Sequence, residues 1–141
     1  MKLELVTLDG VKYSEEAYEV VLPTASGQIT VLPNHEPLLS VVVPGVVTVR
    51  KQKGDPDHKL EHFATYGGVL EVTSEGVRVL VDEADAGDDI NEQEAEKAKA
   101  AAQKLLGEAK SRVELDHAQS LVDRQAVRIQ VAQIRRRHAR K

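Results

Sequence analysis

The pattern of residues changes abruptly near residue 90, and this change limits the architectures that the chain can adopt. Up to residue 88, short runs rich in Val, Leu and Ile are separated by turn signals at intervals of about ten residues. The clearest signals are Asp9-Gly10, Ser26-Gly27, Pro44-Gly45, Gly67-Gly68 and Glu75-Gly76. Such spacing is typical of a β-sandwich or barrel. Beyond this region helix formers dominate and proline is absent. We therefore predict a β + α chain, with a β-sandwich domain at 1–88 and an antiparallel two-helix hairpin at 89–141.

The hairpin region carries signals for two helices. Asn91 followed by Glu94 is an N-cap with a capping-box partner, which starts a first helix at about 91–109. The apolar residues of this helix recur at three- and four-residue steps and form one stripe. They are Ala95, Ala98, Ala102, Leu105, Leu106 and Ala109. The stretch 110–113 predicts a turn, and a second helix follows at about 115–138.

The second helix has two apolar stripes instead of one. At 100° per residue, the following residues fall on one side: Leu115, Ala118, Val122, Ala126 and Ile129. Val127, Val131 and Ile134 fall on the opposite side, beside a strip of arginines. That strip consists of Arg124, Arg128 and Arg135. A helix packed only on its hairpin partner needs one stripe, so the second stripe predicts a second surface, buried intermittently or permanently.

Composition limits the possible functions. The chain has no cysteine, which excludes disulfides, thiolate metal sites and a cysteine nucleophile. With one Phe, three Tyr and no Trp, it has few platforms for stacking bases or sugars. Glu4 interrupts the N-terminal region where a signal peptide needs apolar residues. The most apolar stretch, Val41 to Val49, is about half the length of a membrane span. We expect a soluble protein that reaches a membrane only through partners.

Charge is distributed unevenly along the chain. The formal net charge is −4, with an acidic zone from Asp82 to Glu96 and an excess of arginine after Ser111. Such an asymmetry indicates a basic C-terminal part that meets an acidic partner. The acidic zone lacks the spacing of a calcium loop, and we interpret it as a solvated connection to the first helix.

Each candidate motif for catalysis or metal binding is incomplete. Asp82-Glu83-Ala84-Asp85 resembles the acidic motif of RNA helicases, but the phosphate loop that such enzymes require is missing. His58 and His62 have the spacing of helical zinc ligands, yet they lie in a predicted strand or loop without the accompanying Glu. We expect both histidines to be solvated. His35-Glu36 lies in a proline-rich turn with no nucleophile tied to it, and no catalytic residue is predicted.

Several segments, in order, resemble the epsilon family of F-type ATP synthases, the subunit called delta in mitochondria. They are Val21–Leu39, Pro44–Val49, Gly67–Val72, Val79–Ala84 and Asp116–Gln119. The resemblance implies a ten-stranded β-sandwich followed by a helical hairpin, in a non-catalytic subunit of the central stalk. It also implies the partners: the gamma subunit, the c-ring, and the catalytic beta subunits with alpha. The subunit would couple rotation to ATP synthesis and restrain ATP hydrolysis through its C-terminal helices. It would lie peripherally on the energy-transducing membrane, at the cytoplasmic face of a bacterial plasma membrane.

The resemblance also suggests partner contacts. Gln28 and His35 would face the c-ring and gamma, although Gln28 replaces a residue that is often acidic in the family. The second helix would meet gamma and the catalytic head through Arg124, Arg128, Arg135, Val127, Val131 and Ile134.

Some bacterial members of that family bind ATP through a motif resembling Ile-Asp-x-x-Arg-Ala, a preceding Glu and two arginines. Glu83, Arg124 and Arg128 occupy matching places, but Asn91 replaces the Asp and Glu94 replaces the Arg. A carboxylate where a triphosphate needs a cation inverts the sign of the interaction. We therefore predict weak or no ATP binding and no cofactor.

Two other classes remain as alternatives. One is a stand-alone β-sandwich binding module whose hairpin serves oligomerisation. The other is a nucleic-acid binder that places its basic tail on phosphates, using Arg135-Arg136-Arg137 and Arg140-Lys141. Few aromatic residues and no base-reading groups disfavour both, and we expect no nucleic acid among the partners.

Overall fold

A computed structural model describes residues 1–139. Eight strands come first, with a 3₁₀ turn at Asp57–Lys59 and another at Gly87–Asp89, and two helices follow. The strands are β1 (Lys2–Thr7), β2 (Gly10–Glu16), β3 (Glu19–Thr24), β4 (Gly27–Val31), β5 (Leu38–Arg50), β6 (Glu61–Thr73), β7 (Gly76–Val81) and β8 (Ala84–Ala86). The helices are α1 (Glu92–Glu108) and α2 (Arg112–Ala139). The predicted β + α class is confirmed. Arg140 and Lys141, which belong to the predicted basic tail, lie outside the described residues.

The strands pair in the order β2-β1-β7-β6-β5-β3-β4, and β8 also pairs with β6. All pairs are antiparallel except β1 with β7. Because β5 covers one edge of β6 along its length, β7 and β8 share the other edge at opposite ends. Alternate strand residues point into one apolar core, which includes Leu3, Leu22, Val49, Phe63, Leu70 and Val79.

The expectation of ten strands is wrong, because β5 and β6 do not end at the predicted turns. Each is thirteen residues long and runs through Pro44-Gly45 or Gly67-Gly68 with its pairing register unchanged on both sides. None of these glycines reverses the chain: Gly45 packs against the Pro23 side chain, Gly67 has a φ of 107°, and Gly68 allows a close backbone approach. A Cβ on Gly68 would overlap the carbonyl oxygen of Leu80 in β7. A glycine pair inside a strand therefore imitates a turn signal.

The two helices form a hairpin joined by a short connection, and they contact each other. The side chain of Asn91 accepts a hydrogen bond of 3.0 Å from the Glu94 N–H, so it caps α1 as predicted. The second helix begins at Arg112, three residues before its predicted start. Ser111 and Glu114 form a cap there, with the Glu114 N–H donating to Ser111 Oγ and the Lys110 N–H donating to Glu114 Oε2. Within residues 1–139, neither helix is long and apolar enough to cross a membrane.

Candidate interaction surfaces

A second, smaller apolar core joins α2 to the sandwich. It contains Ala64, Ile90, Val127, Val131 and Ala132, with Val46 and Tyr66 packed at its edge. Val131 is 0 % exposed. The docking face of the sandwich comes from β5 and β6, and in β6 four consecutive residues are buried. Successive side chains of a strand point to opposite faces, so β6 is covered on both sides, by the sandwich core and by α2.

Both apolar stripes of α2 are largely covered within this chain, except for Leu115, which is 44 % exposed. Val127 and Val131 of one stripe are buried against the sandwich, and Ile134 is partly buried. On the opposite stripe, Ala118 is buried and Val122 is partly buried. In α1 the buried residues are Ala95 and Ala102. The second surface that the two stripes predict is therefore the sandwich itself, in the conformation that the structure shows.

Arginines of α2 pair with the segment that connects the sandwich to α1. Arg124 Nη1 lies 2.5 Å from Glu83 Oε2, and the Arg124 guanidinium lies 4.6 Å from the ring centroid of Tyr66. One turn further along, Arg128 Nη1 lies 2.7 Å from Asp85 Oδ2. The Tyr66 hydroxyl donates to the same carboxylate at 2.5 Å, and burial, followed by this bond, raises the pKa of Tyr66. The acidic zone thus supplies the partners of the arginine strip, while most of its side chains stay exposed, as expected for a solvated connection.

Two further arginines continue this row toward the end of α2. Arg135 donates to the carbonyl oxygen of Gly87 and pairs with Asp88 at 2.7 Å. Arg136 Nη1 pairs with Glu92 Oε2 at 3.0 Å, in the first turn of α1. The four arginines therefore bind one short segment, residues 83–92, and this contact fixes α2 along its length.

His62 is buried, and the expectation that it would be solvated is wrong. Its side chain projects from β6 toward α2 because it lies two residues from Ala64 on the same strand face. His62 Nε2 lies 3.4 Å from His138 Nδ1, and His62 Nδ1 lies 3.0 Å from Thr48 Oγ1. Burial first, and then the charges of His138 and Arg135, lower the pKa of His62 to about 4. His58 is exposed. Within residues 1–139, no group of three or more His, Asp or Glu side chains could hold a metal ion.

The residues that match the family's ATP motif are only partly brought together. Glu83 and Arg124 form a pair, and Arg128 lies beside them on Asp85. Asn91 is occupied in capping α1, and Glu94 is exposed. The two arginines that a triphosphate would need already carry carboxylate partners.

A row of outward-facing apolar side chains crosses five strands of the sandwich, and we call it the outer row. It follows the pairings Val41–Val69, Val69–Leu80, Leu80–Val6 and Val6–Val11. Val41, Val69, Leu80 and Val11 are exposed, and Val6 is partly buried. Isolated exposed apolar residues are ordinary, but a contiguous patch marks an interaction site. The sequence could not reveal this row, because its members become neighbours only through strand register.

Gln28 and His35, the two predicted contacts of the sandwich, are exposed. Gln28 lies in β4 and pairs with Pro23, and His35 lies in the loop between β4 and β5. The Nδ1 atom of His35 lies 2.7 Å from the carbonyl oxygen of Glu36. Neither residue belongs to the outer row.

Comparison with known proteins identifies relatives that match most of this chain. The model of the ATP synthase delta/epsilon chain β-sandwich domain matches residues 1–87. The ATP synthase epsilon chain of Herpetosiphon aurantiacus is 36 % identical over 136 residues, covering 96 % of both chains. The chloroplastic epsilon chain of Oltmannsiellopsis viridis is 36 % identical over 131 residues, covering 93 % of this chain and 96 % of the relative.

Solved structures agree on the fold. A chain of the Euglena gracilis mitochondrial ATP synthase, in a structure of OSCP, F1 and c-ring, superposes with a TM-score of 0.77 at 20 % identity. It covers 93 % of this chain and 79 % of that chain. A chain from the central stalk and c-ring of the Tetrahymena thermophila enzyme gives a TM-score of 0.59 at 15 % identity, covering 92 % and 94 %. The chain therefore belongs to the ATP synthase delta/epsilon family, as an epsilon-type member, which is a non-catalytic subunit of F-type ATP synthase.

Proposed function

We propose that this chain is a central-stalk subunit that docks its sandwich on gamma and the c-ring, and whose C-terminal helices restrain ATP hydrolysis. In this role it couples rotation of the stalk to ATP synthesis. The division into a docking unit, 1–88, and a mobile unit, 89–141, is part of the proposal. So is a peripheral position on the membrane, at the cytoplasmic face of a bacterial cell.

The outer row is the surface that we assign to gamma. Its apolar residues lie side by side across five strands, and a row of charged residues, with Arg78 paired to Glu4 at 3.5 Å, runs beside it. An apolar strip bordered by polar groups is the usual anatomy of a protein interface. Gln28 and His35, which project from β4 and the following loop, are assigned to the c-ring and gamma side.

The observation that carries the restraint mechanism is the internal pairing of the α2 arginines. Arg124, Arg128 and Arg135 are bound to residues 83–88, and Val127 and Val131 are buried, so none of them is available to another subunit. If α2 leaves the sandwich, the same residues become available to gamma and to an acidic segment of the catalytic beta subunits. The docked and released states offer alternative partners to one helix, which is the requirement for a population-shift device.

The docking surface is tested by affinity purification from gently solubilised membranes. Tagged wild-type protein is expected to bring down gamma, alpha, beta and the c-ring. Val69→Lys places a charge in the centre of the outer row without disturbing the core, and we expect it to lose these subunits. Val113→Lys is the matched control, because Val113 is 79 % exposed at the hairpin. Retention of gamma by Val69→Lys would refute the assignment of the outer row.

The restraint mechanism is tested by locking the helix in place with a disulfide. A Cβ placed on Gly87 would lie 3.1 Å from Val131 Cγ1, so Gly87→Cys with Val131→Cys is close to disulfide geometry once the flexible Arg135 side chain, whose Cδ lies 2.6 Å from that Cβ, has shifted. The chain has no other cysteine to interfere. We expect faster ATP hydrolysis by the complex when the bond is formed, and slower hydrolysis after reduction. Equal rates before and after reduction would contradict the restraint, while the affinity purification would still stand.

A further inference from the structure

A pair of histidines closes the contact between the last turn of α2 and the sandwich. His62 projects from the middle of β6, and His138 is the second-last described residue of the chain. Their rings have centroids 5.3 Å apart, and their facing nitrogens are 3.4 Å apart. His62 is 6 % exposed beneath α2, so removal of α2 exposes most of its ring to water. Protonation of His62 and docking of α2 therefore disfavour each other.

Within residues 1–139, each carboxylate that lines the clefts beside His62 has a cation partner. A cleft of about 410 Å³ lies beside the ring. Charged and titratable groups face it from α2, the two 3₁₀ turns and α1, namely Arg135, Arg136, His138, His58, Asp88 and Glu92. Asp88 is paired with Arg135, and Glu92 with Arg136. A neighbouring cleft with His62 is shared by Lys12, Tyr13 and Glu15 of β2 and by Glu61 of β6, and both Glu15 and Glu61 are paired with Lys51. From β5 the ring meets the neutral hydroxyl of Thr48.

We propose that His62, covered by His138 and the last turn of α2, acts as an acid-sensitive latch, which keeps α2 on the sandwich at neutral pH and releases it when His62 takes up a proton. The charged ring would have to remain under α2, away from water and next to the Arg135 guanidinium. Release of the helix removes both penalties, because it exposes the ring and carries Arg135 and His138 away. The latch is a property of this chain alone, and it does not require the partners proposed above.

The size of the effect follows from linkage between docking and protonation. Docking lowers the pKa of His62 from its ordinary value of 6.5 to about 4. A group whose pKa is lowered in the docked state stabilises docking fully above its ordinary pKa. That stability is lost as the pH falls from 6.5 toward 4. At about pH 5 the docking equilibrium constant is expected to be about 30-fold smaller than at about pH 8.

The docking equilibrium constant of α2 can be measured by thiol protection in the full-length chain. Ala132→Cys places a thiol at a position that is 7 % exposed, inside the contact between α2 and the sandwich. Gln133→Cys, exposed on the next residue of the helix, corrects for the pH dependence of the chemistry. The ratio of their reaction rates with a dipyridyl disulfide gives the protection factor, and hence the fraction of released helix. We expect the protection factor to fall about 30-fold between about pH 8 and about pH 5.

Three further variants distinguish the latch from a pH effect at another group and from opening of the sandwich itself. His62→Gln cannot gain a proton, so the pH-dependent fall is expected to disappear when it is combined with the two reporters. His138→Gln is expected to retain most of the fall, because burial is the largest cause of the His62 shift. Val79→Cys reports opening of the sandwich itself and is expected to stay protected throughout. A pH-independent protection factor, a full fall in His62→Gln, or parallel loss of protection at Val79→Cys would each overturn the latch.

Discussion

Replacing Val131 by alanine tests whether α2 docks through its second stripe. The side chain is fully buried in the contact with the sandwich. Val131→Ala removes two methyl groups, which are worth about 0.8 kcal/mol each in transfer free energy. The cavity that remains adds to this loss, so we expect docking to weaken by about 2 kcal/mol. That is about a 30-fold smaller docking constant.

Hydrogen exchange separates docking from the stability of the sandwich. We expect the α2 amides to lose about 30-fold of their protection in Val131→Ala, while the amides of β1 and β7 keep theirs. Val113→Ala is the matched control, because it makes the same substitution at an exposed position of the same helix. It is expected to change protection by less than about 0.5 kcal/mol. Equal effects of the two variants, or an equal loss in the sandwich, would refute separate docking of α2.

Four other predictions concern individual positions of the chain. Gly68→Ala is expected to destabilise the sandwich by more than about 3 kcal/mol in urea unfolding, because its Cβ would overlap a neighbouring backbone. Gly107→Ala, in open space within α1, is expected to stabilise that helix by about 0.5–1 kcal/mol in the same assay. Tyr66→Phe removes the hydroxyl that holds the Asp85 carboxylate in place for Arg128, and it is expected to weaken hairpin docking by about 1 kcal/mol in the hydrogen-exchange assay, with unchanged docking counting against the role of this bond. Isothermal titration is expected to show no saturable ATP binding, whereas Asn91→Asp with Glu94→Arg is expected to gain it; tight binding by the unaltered chain would contradict the sign argument.

Local signals predicted much of this fold. Alternation and turn glycines indicate the strands, and the turns at Gly10, Gly27 and Gly76 have the positive φ that glycine allows. The cap at Asn91 was visible for the same reason, because it depends on residues that are close in sequence. The Ser111–Glu114 cap has an equally local signal, but it lies within a stretch that predicts a turn.

Features that depend on residues far apart in the sequence could not be predicted. Whether Gly67-Gly68 ends a strand or lets another strand approach depends on β7, which the residue pair does not reveal. The acidic zone and the arginine strip are both plain in the sequence, yet their pairing requires the hairpin to fold back on the segment from which it started. The burial of His62 depends on the same return of the chain.

The buried alanines of α1 predict the order in which the two helices separate from the rest of the protein. In α1, the buried residues Ala95 and Ala102 give little apolar area to hold it, whereas α2 buries valines in the sandwich. A buried alanine contributes less hydrophobic free energy than a buried valine. Disassembly is therefore expected to begin with separation of α1 from α2, which breaks the Arg136–Glu92 pair while the pairs of Arg124, Arg128 and Arg135 remain. In such an intermediate, α2 would remain docked on the sandwich while α1 is already free to contact another subunit.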